Sequence, residues 1–154
     1  MAAVSPEGII GVDQRIPWNY PSDIQRLWRL TRGSTVVFGR LTWETLPIRP
    51  VRNRRNMVVS AGLVRGAETF HSVADAVSAS IGETVWFLGG TRIYEEAMDY
   101  VDFLDITYIP NHVSLNPEQH AVYFPRIDSS RWLAGPLILD LDEFGITRRR
   151  YLRR

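Results

Sequence analysis

Cysteine is missing from the 154 residues, and so is lysine. Without a thiol there is no disulfide, no thiolate metal site and no cysteine nucleophile. Without an ε-amine, a Schiff base and the phosphate-gripping lysine of a Walker loop are both excluded. All 18 basic residues are therefore arginines. Histidine is scarce: His71, His112 and His120 stand apart, none at metal-ligand spacing from another, so no metal site is expected. No apolar run approaches the roughly 20 residues of a membrane helix. The opening Met-Ala-Ala-Val-Ser-Pro-Glu-Gly has neither a basic region nor a long apolar stretch. A signal peptide and a membrane partner are thus not expected, and the cytoplasm is the expected compartment.

An excess of one charge is lacking too. The basic residues face 17 acidic ones, for a net charge of +1, so no global field invites a nucleic acid, and none is expected as a partner. Arg148, Arg149, Arg150, Arg153 and Arg154 come with no aromatic platform and read as a solvated terminal strand. What is present is ordinary globular composition, 45% hydrophobic and 23% charged, enough for one compact domain over residues 1–154. No heptad or exposed apolar helix face is evident, so a monomer is expected.

Short β-rich runs fall at 35–38, 56–60, 85–88, 103–109, 137–141 and 146–152. Helical patterns lie between them. One covers 22–32 and starts at Pro21-Ser22; another covers 72–80, with Ser72 as N-cap and Asp75 three residues on; a third covers 92–100 after a glycine pair. Strands alternating with helices predict an α/β domain with a largely parallel sheet. The last two runs, joined around 142–145, predict an antiparallel hairpin, which makes the sheet mixed.

Four places carry candidate chemistry. Asp23 lies in the first turn of the 22–32 helix, where acids commonly complement the helix dipole. It shares a face with Leu27, Leu30 and Thr31, and a carboxylate beside an apolar wall is partly desolvated, the setting of a proton relay or cation anchor. Both readings stand, as do core filling and a site role for Trp18 on the preceding proline-bounded turn. Gly89-Gly90-Thr91-Arg92 follows a strand and opens a helix, which is either a plain turn or a place where backbone N–H groups meet a phosphate. Gly39-Arg40-Leu41-Thr42 repeats that geometry after strand 35–38, and two such crossovers can face one pyrophosphate. Arg49, Arg52, Arg54 and Arg55 form either a solvated loop or an arginine clamp for a carboxylate or phosphate.

Taken in order and spacing, these motifs resemble dihydrofolate reductase. The resemblance runs from residue 2 to about 154. It is carried by Ala2-Ala3-Val4 with Gly8-Ile9-Ile10-Gly11 and Ile16-Pro17-Trp18-Asn19; by Val37-Phe38-Gly39-Arg40-Leu41-Thr42-Trp43-Glu44; by Arg54-Arg55-Asn56-Met57-Val58-Val59-Ser60; and by Leu88-Gly89-Gly90-Thr91-Arg92-Ile93-Tyr94. It implies a central twisted mixed sheet of about eight strands flanked by helices. It also implies hydride transfer from NADPH to the pterin of dihydrofolate. On the substrate side, Asp23 would anchor the pterin and indirectly supply a proton, Trp18 would hold the relaying water, and Thr107 would orient the carboxylate. Leu27, Phe38 and Leu46 would wall the cleft, and Arg54 would bind the glutamate tail. On the cofactor side, Ala3 and Ile10 would hold the nicotinamide through their backbones, with Ile16 on a closing loop. Gly39, Leu41, Thr42, Gly89, Gly90, Thr91, Arg92 and Ile93 would form the pyrophosphate turns. Arg40 and Ser60 would recognise the adenosine half and its 2′-phosphate. A cis-type peptide is implied at Gly89-Gly90.

Several positions depart from the family pattern. The residues usually found before Ala2-Ala3 are missing, so either the first strand is short or the true start lies upstream of Met1. Thr91 replaces a usual third glycine, Ala61 a second hydroxyl near the 2′-phosphate, and Ala121 an aspartate that supports loop closure. Two other readings are open: a similar NADPH reductase acting on another pterin or a pyrimidine, and a non-catalytic module that binds folate or NADPH. The first need not keep Trp18, Asp23 and Arg54 together; the second has no use for an intact acid with its Thr107 partner.

Overall fold

A computed structural model describes residues 1–154. In chain order its elements are β1 (Ala2–Val4), β2 (Ile9–Val12), α1 (Pro21–Leu30), β3 (Thr35–Gly39), α2 (Arg40–Thr45), β4 (Arg55–Val59), β5 (Glu68–Phe70), α3 (Val73–Ser78), β6 (Val85–Phe87), α4 (Thr91–Ala97), β7 (Phe103–Tyr108), β8 (Ala121–Tyr123), β9 (Trp132–Leu139) and β10 (Thr147–Arg153). The fold divides into two compact units, Met1–Arg26 with Val101–Arg154, and Leu27–Tyr100. The class is α/β, as expected. The two larger sheets together hold eight strands, and hydrogen bonding divides them four and four.

The Leu27–Tyr100 unit is built on the sheet β5-β4-β3-β6, parallel throughout. Parallel strands joined by helices are covered on both faces and so read as unbroken apolar runs. Central β3 shows this: Thr35, Val36, Val37 and Phe38 are all buried. Phe38 sits with Val36, Trp43 and Val58 in the core, its ring 5.9 Å from that of Trp43. Helix α3 starts as its sequence predicts. The Ser72 hydroxyl accepts from the Asp75 N–H at 3.0 Å and donates to the Asp75 carboxylate at 2.8 Å.

The other unit holds the sheet β1-β7-β10-β9 and the antiparallel ribbon β2-β8. Strand β1 has three residues and runs parallel to β7; β7-β10 and β10-β9 are antiparallel, which gives the mixed sheet and the C-terminal pair. Strand β9 begins at Trp132, five residues before the expected run. Pro136 falls inside it, which is tolerated because β9 is an edge strand, where a missing N–H costs no ladder bond. Gly135 is required nearby: the β9-β10 register shifts between Arg149 and Tyr151, and a Cβ on Gly135 would lie 2.8 Å from the Arg150 carbonyl oxygen.

Candidate active site

In the unit that carries β1 and β7, the candidate site centres on Asp23. The helix's first turn brings this residue against the β7-β10 sheet, where it is buried. The fully buried Thr107 hydroxyl donates to Asp23 Oδ1 at 2.6 Å. Oδ2 receives no protein donor and stays open to a ligand. Burial pushes the Asp23 carboxyl above its ordinary range; the Thr107 hydrogen bond and the positive charges of Arg148 and Arg26 push back without cancelling it. Ala3 pairs with Thr107 across the β1-β7 ladder, so its backbone runs beside the same spot. Trp18 is half-buried and Ile16 exposed on the segment after β2. That segment lines an open groove of about 730 Å³ together with Val113, Leu115 and Gln119. Ile10, on β2, is partly buried.

Sequence reading missed Arg148. Far from solvated, its side chain is 16% exposed and pairs with the carboxylate of Asp140. Its Nε lies 4.0 Å from Asp23 Oδ1. Strand parity explains the error. Arg148 stands opposite Thr107, and Arg150 opposite Asp105, so both point to the face that meets α1. There Arg26 makes two hydrogen bonds to Asp105, at 2.7 and 2.8 Å, and Arg150 adds a third at 3.1 Å. Burial raises the Asp105 carboxyl, but its two arginines more than offset this and hold it below the ordinary range. The i, i+2 spacing of Asp105 with Thr107, and of Arg148 with Arg150, was the available signal for a charged inner face.

In the Leu27–Tyr100 unit two strand-to-helix crossovers converge. The Gly39 N–H donates to the Gly89 carbonyl at 2.7 Å. A Cβ on Gly39 would lie 3.1 Å from Ile93 Cγ1, and one on Gly90 would lie 3.6 Å from Thr42 Oγ1. Both helices start without a side-chain cap, at Gly39 and Gly90. The Gly89-Gly90 peptide is cis. Ile93 is buried and packs inward; Leu41, Arg40 and Arg92 are exposed, and Thr91 opens α4. The Arg40 guanidinium reaches within 3.9 Å of where a Gly62 Cβ would be, and Ser60 Oγ accepts from the Gly62 N–H at 3.3 Å. Arg40 and Ser60 thus flank one turn.

The four clustered arginines separate by role. Arg55 pairs with Glu68 and Glu83, and Arg49 donates to the Glu44 carbonyl at 2.7 Å, so both serve structure. Arg54 donates from Nε to Thr31 Oγ1 at 2.9 Å, from one terminal nitrogen to the Arg52 carbonyl at 2.6 Å, and from the other to the Trp28 carbonyl, with its guanidinium carbon 5.2 Å from the Trp28 ring centroid. A guanidinium has five N–H donors, so two remain for a ligand. Leu27 and Leu46 are both partly exposed. Phe38 needs correction as a cleft wall. It is 1% exposed because a central parallel strand is buried on both faces, and it belongs to the core.

A family model for dihydrofolate reductase matches residues 1–135. The dihydrofolate reductase of Neisseria meningitidis serogroup A is 37% identical over 136 residues, spanning 86% of this chain and 81% of that protein. The dihydrofolate reductase of Mycobacterium leprae is 36% identical over 134 residues, 83% and 80% respectively. Among solved structures, the dihydrofolate reductase from Enterococcus faecalis complexed with NADP(H) and RAB-propyl aligns with a TM-score of 0.85 at 25% identity, over 99% of this chain and 94% of that one.

Proposed function

The chain belongs to the dihydrofolate reductase family, and we propose that it reduces 7,8-dihydrofolate to 5,6,7,8-tetrahydrofolate with NADPH. The observation that carries this reading is Asp23: a buried carboxylate fixed through one oxygen by Thr107, with the other oxygen open. A paired, charge-assisted contact suits the amino and ring N–H groups of a pterin, two adjacent donors in one plane. Asp23 binds and orients that ring. It also favours a positive charge there, which eases delivery of a proton to the pterin nitrogen through a water beside Trp18. Thr107 keeps the carboxylate in one rotamer. Arg54 takes the carboxylate of the glutamate tail with its two open N–H groups, and Leu27 and Leu46 supply apolar wall.

The Leu27–Tyr100 unit fits the cofactor. Close approach at Gly39 leaves room where a Cβ would crowd, and Thr42 with two uncapped helix starts offers donors to a pyrophosphate. Gly89, Thr91 and Arg92 complete that turn, with Leu41 and Ile93 contributing backbone. NADPH, when bound, supplies the hydride. Ala3 and Ile10 would hold the nicotinamide amide through main-chain groups, and Ile16 would cover it. Arg40 and Ser60 recognise the 2′-phosphate, an anion that NADH lacks. Arg40→Ala is expected to raise the KM for NADPH about tenfold, the size of a charge-assisted contact, and to leave that for NADH nearly unchanged. Equal effects on both cofactors would remove Arg40 from the phosphate site.

A cytoplasmic monomer completes the proposal; no helix is long and apolar enough to cross a membrane. The deciding experiment follows NADPH absorbance with dihydrofolate in purified, folded protein. Steady consumption with tetrahydrofolate as product supports the reading. Consumption only with another pterin or a pyrimidine, or binding without turnover, overturns it. Size-exclusion chromatography tests the oligomeric state.

A further inference from the structure

We infer that Arg148 is a positioning residue for the reaction: anchored by Asp140, its buried guanidinium keeps the Asp23 carboxylate ionised and aimed for its ligand. This rests on the reading of Asp23 as the pterin anchor. Three observations converge on it.

The register places Arg148 directly across from Thr107, so the two side chains leave the sheet together and reach the same carboxylate. Arg148 Nε is buried and has no hydrogen-bond acceptor. It lies 4.0 Å from Asp23 Oδ1, about 1 Å beyond an ordinary N–H···O contact. An unpaired buried donor is costly, so this one calls for an explanation, and a small adjustment on ligand binding would pair it. Finally, the guanidinium is itself fixed. Its terminal nitrogen pairs with Asp140, whose side chain is 2% exposed. The Ser22 hydroxyl, next to Asp23 in sequence, donates to that same Asp140 at 3.3 Å and to Glu143, which also accepts from the Ser22 N–H at 3.0 Å. The first turn of α1 and the start of β10 are therefore tied through one charged cluster.

The groups facing Asp23 are few enough to weigh. From β7 come the neutral Thr107 and the negative Asp105; from α1, Arg26; from β10, Arg148. Arg26 is committed to Asp105 through two hydrogen bonds, and Arg150 adds to the same carboxylate. Arg148 lies within 4.0 Å of Asp23 and also pairs with a second carboxylate, that of Asp140. Asp140 thereby sets how much of the positive charge Asp23 receives.

The test reads Asp23 itself, without turnover. Asp carboxyl carbons are labelled with ¹³C, and the Asp23 signal is assigned by its loss in Asp23→Asn. Its titration midpoint is then followed in the parent and in variants. Arg148→Met is expected to raise the midpoint by about 1–3 pH units, the size of the effect of an opposite charge at this range. Arg148→Lys should recover most of that. In kinetics, the pH below which the KM for dihydrofolate climbs should move up by the same interval in Arg148→Met. An unmoved Asp23 midpoint in folded Arg148→Met overturns the inference, whether or not the protein proves to be a reductase. Should Arg148→Met fail to fold, Asp140→Asn decides. Freeing Arg148 for Asp23 should lower the midpoint, and an unchanged or raised one sinks the idea. An absence of reductase activity in the parent, with the midpoint shifts intact, would instead overturn only the functional reading.

Discussion

Asp23→Asn is expected to slow dihydrofolate reduction at neutral pH by about 10²- to 10⁴-fold, the usual worth of a positioned proton-handling group. The substitution is nearly isosteric, and an asparagine carbonyl can still accept from Thr107, so the fold and the affinity for NADPH should persist. What disappears is the negative charge. Without it the pterin loses a paired contact, and a positive charge on the ring is no longer favoured. The deficit should shrink as the pH falls, because solvent then protonates the pterin directly. A variant with parental activity at neutral pH would remove Asp23 from the mechanism. Stability should change the other way. Burial raises the Asp23 carboxyl in the fold, so the folded state disfavours the ionised form. A carboxyl raised on folding destabilises progressively above its unfolded value, near 4, and fully above its folded one. Asp23→Asn should thus melt above the parent at pH 7.5, with the gap closing as the pH is lowered toward 4. A lower melting point at pH 7.5 would contradict that sign.

Much of this was visible in the chain because the sheet in the Leu27–Tyr100 unit is parallel. Strands buried on both faces leave continuous apolar runs, so β3, β4 and β6 were found to within a residue or two. Ser72 with Asp75 marked the start of α3 for a local reason, since a cap is made by residues three apart. Elements escaped where length or context overrode pattern. Strands β5 and β8 have three residues each, too few to show a period. Half of β9 was hidden behind Gly135 and Pro136, which an edge position tolerates.

The site was legible in proportion to how local its chemistry is. Gly39-Arg40-Leu41-Thr42 and Gly89-Gly90-Thr91-Arg92 are contiguous, and the fold draws the two turns together. Thr107 is implied by the family pattern, and its hydroxyl donates to Asp23, 84 positions away. Arg148 had neither a local motif nor a family role to mark it. Its burial follows from strand parity and register, which put it opposite Thr107 rather than in solvent. A run of three arginines could not show which of them points inward. Phe38 failed for the reverse reason. The family resemblance implied a place on the cleft wall, whereas its side chain faces Trp43 in the core.

Arg54→Leu should raise the KM for dihydrofolate by about 10- to 150-fold while kcat stays within a few-fold. A hydrogen bond to a charged group is worth about 1.5–3 kcal/mol, and the tail lies far from the reacting atoms. The guanidinium is already oriented by Thr31, Trp28 and Arg52, so its two open N–H groups are presented at little entropic cost. Burial and nearby Arg32 draw its pKa down, yet an arginine keeps its charge at neutral pH. The substitution also strands the Trp28 carbonyl, so some stability should be lost, on the order of 1 kcal/mol. That structural effect is separated by a substrate that lacks the glutamate. With a tail-less dihydropterin, parent and Arg54→Leu should have similar KM values. Arg54→Lys should recover only part of the affinity for the full substrate, because a point charge cannot reproduce the fork. An unchanged KM for dihydrofolate in Arg54→Leu, or an equal rise with the tail-less substrate, would remove Arg54 from the tail clamp and leave it the role of holding Trp28 and Thr31 in place.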